Sequence, residues 1–92
     1  MDKQTFIKRF EEEILKVLAE NTRPFSMSEM IVRMPMELMR DNHSNCLFDA
    51  LENLINSNRI VAVDYVLPNM NYRIKTMLFP AGTILTVCQP KA

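Results

Sequence analysis

The hydrophobic pattern changes period once along the chain, and the rest of the reading is arranged around that change. Leu47, Leu51, Leu54 and Ile55 recur at helical spacing, and Phe48 falls beside Leu51 and Ile55 on the same side. Asn45, Asp49, Glu52, Asn53 and Asn56 occupy the opposite side. After a polar Ser57-Asn58-Arg59 step the period drops from roughly 3.6 to 2. Ile60, Val61, Val63 and Val66 then favour a strand, since branching at Cβ costs little on a pleated backbone. The pattern predicts a helix that passes almost directly into a β-strand.

Two helices are predicted upstream. Over residues 3–19, Phe6, Ile7, Phe10, Ile14, Val17 and Leu18 form one apolar stripe, and Lys8, Arg9, Glu12, Glu13 and Lys16 fill the other side. Pro24 stops this helix, because it has no amide hydrogen to donate and disfavours the α region at Arg23. Residues 24–25 form a short extended piece. Ser26 then opens a second helix as a capping box with Glu29, and Met30, Ile31 and Met34 make its inner face. Pro35 either ends that helix or starts a further turn over residues 36–40. The polar run Asp41-Asn42-His43-Ser44 supplies the cap of the third helix.

Downstream, the strand over residues 60–66 meets a turn at residues 67–71, and residues 72–79 return as a second strand. Pro80-Ala81-Gly82 makes another turn. Gly82 is the only glycine in the chain, so the expectation is that it serves a positive φ. Residues 83–88 are predicted as a short third strand, followed by a frayed tail.

Helix, extended piece, helix, helix, strand, turn, strand is an order that resembles the winged helix-turn-helix family over residues 6–79. The features that carry the resemblance are the capped segment SMSEM after RPF, the third-helix pattern CLFDALENLI, and the hairpin IVAVDYVLPNMNYRIKTML. It implies a single α+β domain over residues 1–92, with three helices, a β-hairpin wing and a short additional C-terminal strand. The chain departs from the family in that C-terminal strand and in the spacing of helices two and three. About ten residues separate those helices, where a turn of three or four is usual.

Size and composition narrow the function. Ninety-two residues, 48% apolar and 24% charged, describe one ordinary globular domain. Eleven basic residues balance eleven acidic ones, so no global field draws the chain to nucleic acid or anionic membrane. Cys46 and Cys88 are isolated thiols without CxxC spacing, as in a reduced cytoplasmic chain. No leader-like apolar segment and no run of membrane-spanning length is visible, so no membrane partner is expected. His43 and Cys46 have the spacing of a metal-ligand pair but lack a second pair, and no metal or other cofactor is expected. With one histidine, no glycine-rich phosphate loop and no paired carboxylates, an enzyme is not expected.

Three groups of residues are candidates for function. The resemblance implies that the third helix reads the major groove, through Asn45, Asp49, Glu52, Asn53 and Asn56. Asparagine can pair with adenine, and a carboxylate can accept from cytosine N4. Residues 41–58 nevertheless hold three carboxylates and no lysine or arginine, whereas most contacts to DNA go to phosphate. DNA readout, a protein-binding face and a plain solvated face all stay open. Arg73 and Lys75, two apart near the hairpin tip, join Arg59 as a basic cluster for phosphate or minor-groove contact. Alternatively, Lys75 pairs with Asp64 across the ladder. Finally, Met27, Met30, Met34, Met36 and Met39 crowd a dozen residues, more than one face hides, and suggest an adaptable partner surface.

The leading expectation is a small winged-helix DNA-associated regulator, transcription-factor-like and non-enzymatic, bound to double-stranded DNA. The alternative is a protein–protein interaction module or inhibitor, using the methionine-rich linker and the acidic third helix without binding DNA. A homodimer is expected for either, because one such domain offers DNA only a small interface.

Overall fold

The computed structural model describes residues 2–21, 23–40, 44–71 and 73–84. Its elements run α1 (Lys3–Glu20), β1 (Phe25–Ser26), α2 (Met27–Arg33), α3 (Met36–Met39), α4 (Ser44–Asn56), β2 (Ile60–Leu67), a 3-10 turn (Pro68–Met70) and β3 (Arg73–Pro80). The result is a small α+β domain of four helices and one antiparallel sheet, in the strand order β1-β3-β2. Four helices replace the expected three, because the segment after Pro35 does form a turn of its own.

The starts of α1, α2 and α3 each have a chemical cause; residues 41–43 of the cap expected for α4 lie outside the described residues. The Asp2 carboxylate accepts from the Thr5 amide at 2.9 Å and from its hydroxyl at 2.8 Å, which satisfies a free donor of the first turn of α1. In α2 the capping box is complete: the Glu29 amide donates to Ser26 Oγ and the Ser26 amide to Glu29 Oε1, each at 3.2 Å. Arg23 adds an ion pair to Glu29 at 2.7 Å and lies over the Phe25 ring, 4.3 Å from its centroid. Pro35 caps α3 from outside its first turn, and the Leu38 and Met39 amides both donate to its carbonyl.

Ile7, Phe10, Ile14, Val17 and Leu18 of α1 meet Leu47, Ala50, Leu51 and Leu54 of α4 in one core. Phe25, Met30, Met34, Leu38, Ile60 and Leu78 complete it. Removing such apolar area from water stabilises by roughly 25 cal/mol per Å², and this layer holds the sheet base to the helices.

The join between α4 and β2 is as tight as the change of period suggests. Asn58 takes the left-handed conformation at φ 60°, its amide donates to the Ile55 carbonyl, and the Arg59 amide reaches the Leu54 carbonyl at 2.9 Å. These two bonds form a Schellman motif, with asparagine where glycine is usual. β2 and β3 then pair along all eight residues, from Ile60 opposite Pro80 to Leu67 opposite Arg73. Asn71, also left-handed at φ 57°, ends the 3-10 turn that reverses the chain.

The third strand of the sheet comes from an unexpected place. It is β1, whose Phe25 and Ser26 pair with Leu78 and Met77. Thr83 and Ile84 of the C-terminal strand expected over residues 83–88 are irregular, and the remainder lies outside the described residues. The turn at Gly82 is as expected: φ is 78°, and both the amide and the hydroxyl of Thr83 bond back to the Pro80 carbonyl.

Candidate interaction surface

The outward side of α4 differs from the sequence expectation on both flanks. At roughly 100° per residue, a face centred on Leu47, Ala50 and Leu54 also takes in Cys46 and Leu51 and leaves Phe48 and Ile55 past its edge. Cys46, Leu47, Ala50, Leu51 and Leu54 are accordingly buried, while Phe48 is 52% and Ile55 38% exposed. The two do not belong to the inner face. They stand seven apart beside exposed Glu52, with exposed Asn45 and Asn56 next around the helix. Two apolar side chains therefore sit among polar ones on the side facing water. Counting cysteine and alanine as inner-face residues was the signal that could have placed them.

Asp49 lies on the other flank and is turned toward α1, where Lys3 Nζ approaches its carboxylate at 3.5 Å. It therefore does not stand with Glu52 as a second unpartnered acid. Asn53 is exposed on that flank. Arg59 is likewise engaged: its guanidinium donates to Glu11 of α1 at 2.7 Å and to Ser57 Oγ at 3.2 Å. The expected basic cluster is thus divided. Arg59 sits at the base of the hairpin, whereas Arg73 is opposite Leu67 at the far end of an eight-residue ladder, roughly 25 Å away at 3.3 Å per residue.

The register also moves Lys75. It faces Tyr65, and Asp64 faces Thr76, whose hydroxyl donates to the aspartate at 2.6 Å. Since opposed residues share a face and neighbours alternate, Asp64 and Lys75 point to opposite faces of the sheet and form no pair. Arg73 and Lys75 have no ion-pair partner among the described residues. Tyr65, Val66, Met70 and Ile74 are all exposed around them.

The methionine-rich segment is mostly core. Met30 and Met34 are buried, Met27 and Met39 pack against the core, and Met36 alone of the five projects, at 78% exposure. The segment spans α2, Pro35 and α3, and both helices pack on α1. Arg9 of α1 holds Glu37 of α3 at 2.9 Å. Met30 and Met34 are therefore not available to a partner without unpacking the domain, while Met27 and Met39 keep part of their surface in water.

Two carboxylates are held below their ordinary range: Asp2 by the Thr5 amide first and its hydroxyl second, Glu29 by the Arg23 guanidinium first and the Ser26 amide second. Both serve helix starts. Among the described residues no three His, Cys, Asp or Glu side chains converge as metal ligands, and no helix is long and apolar enough to cross a membrane. His43 lies outside the described residues; Cys46 is buried against the core.

No family model, curated protein or solved structure matches the chain.

Proposed function

We propose that this chain is a winged-helix domain that acts as a protein-interaction module, with the outward side of α4 as its docking face. The order of the elements and the β1-β3-β2 sheet support the winged-helix reading. The observation that carries the function is the pairing of exposed Phe48 and Ile55 around Glu52, on the helix that a DNA-binding relative would insert into the major groove. A groove-reading helix is flanked by cations that meet phosphate. This helix carries none of its own, and the cations beside it, Lys3 and Arg59, are paired with Asp49 and Glu11. Aromatic and branched apolar anchors ringed by amides and one acid are instead the composition of a protein interface.

The test is the double variant Phe48→Ser, Ile55→Ser. Both side chains are half-exposed, so the thermal midpoint should shift little. Partner capture by the tagged protein, and any self-association seen by light scattering, should fall at least tenfold. A random-sequence DNA duplex should bind weakly and with a shallow salt dependence in both proteins. Tight duplex binding that weakens steeply with salt and is lost in Asn45→Ala, Asn53→Ala would replace this reading with the DNA-associated regulator.

A further inference from the structure

β2 covers β3 along its whole length on one side, but β1 covers only Met77 and Leu78 on the other. The chain leaves the sheet at Ser26 because that residue caps α2, which turns the backbone away. From Thr76 to Arg73 the outer edge of β3 therefore has no strand beside it among the described residues, and every second residue there aims its amide and carbonyl outward. A groove of about 520 Å³ runs along this vacated lane, with Met27, Leu67, Met70 and Ile74 as its apolar walls and Arg73 and Lys75 as its charges. Among the described residues no carboxylate lines it. The nearest acid on the ladder, Asp64, is bonded to Thr76.

We propose that this lane accepts an extended peptide segment of alternating acidic and apolar residues, which adds to the sheet as a fourth strand in line with β1. Backbone bonds to β3 supply the register and the side chains supply the choice of ligand, as in other cases of strand addition. Opposed residues in a ladder share a face. Residues of the segment opposite Arg73 and Lys75 thus meet two cations that have no ion-pair partner among the described residues and should be acidic; those opposite Ile74 and Thr76 lie on the other face beside an exposed isoleucine and should be apolar. Arg73 and Lys75 also have a blander reading, as charges that keep an open edge from pairing with anything. The groove separates the two readings, because an edge that is merely protected has no use for apolar walls on both sides of it. The lane shares no residue with the α4 face, so the two proposals stand or fall separately.

The experiment is a fluorescence-polarisation titration with a labelled, end-blocked octapeptide of alternating glutamate and valine, against a lysine–valine octapeptide of the same pattern. The wild-type protein should bind the acidic peptide saturably and the basic one at least tenfold more weakly. In the Arg73→Glu, Lys75→Glu variant, with folding checked by circular dichroism, that preference should reverse. Two further peptides, methylated on every glutamate amide or on every valine amide, test the backbone bonds. All amides of one set face β3 and all of the other face solvent, so one peptide should lose binding and the other keep it. No saturable binding below about 1 mM, an unchanged preference in the charge-reversed variant, or equal loss with both methylated peptides would each overturn the proposal. So would cations that prove to serve a DNA duplex, with duplex binding lost in the reversed variant and peptide binding intact.

Discussion

The two ends of the β2–β3 hairpin share one ladder and one type of sequence, yet they live in different solvents. At the base Ile60 and Leu78 are almost wholly enclosed by the helices; at the tip Val66 faces Ile74 with 56% and 67% of their surfaces in water. Period-2 alternation and β-branched residues run through both ends, so they decide that a strand forms but not what it packs on. Burial decides the base. At the tip, backbone pairing and cross-strand contacts worth roughly 0.2–1 kcal/mol each are what remain. An apolar pair that the core does not reach is free for something else to cover.

The contrast predicts a steep gradient of mutational cost along one hairpin. Leu78→Ala at the base should destabilise by roughly 2–5 kcal/mol in urea unfolding, as for a fully buried leucine. A cost below about 1 kcal/mol would mean that the base is no better packed than the tip. Ser26→Ala, at the point where β1 leaves the sheet, should cost about 1 kcal/mol through the lost cap, and the cost should stay much the same when Glu29 is already glutamine, because Ser26 Oγ accepts from the backbone amide of residue 29. The capped starts of α1 and α2 should also respond to acid. Glu29 and Asp2 have carboxylates held below their ordinary values in the folded state, so their contribution is fully present above the ordinary carboxylate pKa of roughly 4 and is lost as pH falls through the depressed values. Thermal midpoints measured from pH 7 to pH 3 should decline in that window, and Glu29→Gln should flatten part of the decline. The smallest effect belongs to the tip, where Ile74→Ala should stay within about 0.5 kcal/mol. A loss above about 2 kcal/mol there would show that the tip packs on the domain itself, and the contrast would be lost.

What the sequence discloses follows the range of the interaction. Periodicity is local, so α1, α4, β2 and β3 are legible to within a residue or two, and so is the capping box, which needs only Ser26 and Glu29. The register of the hairpin depends on how many residues the turn consumes, and the difference of one puts Lys75 opposite Tyr65 instead of near Asp64. β1 is two residues long, too short for any period, and its partner strand lies beyond three helices. The face of α4 turns on whether Cys46 and Ala50 or Phe48 and Ile55 point inward, and hydrophobicity alone favours the larger pair. The volume available beneath α1 favours the smaller. The methionines divide in a way their number does not disclose: Met30 and Met34 are buried, Met27 and Met39 pack partly against the core, and Met36 projects.

Phe25 and Leu78 lie more than fifty residues apart in the chain, while β2 and β3 are joined by a short turn. In time, then, the sheet is assembled from opposite directions. The hairpin and α4 are built from near neighbours and form on the microsecond scale typical of such elements, whereas β1 waits until a long loop has closed. Its two residues act as a late clasp that fastens an already ordered sheet to the helices. Substituting Phe25 with leucine should consequently speed unfolding far more than it slows folding, giving a chevron with one arm displaced and the other nearly unmoved.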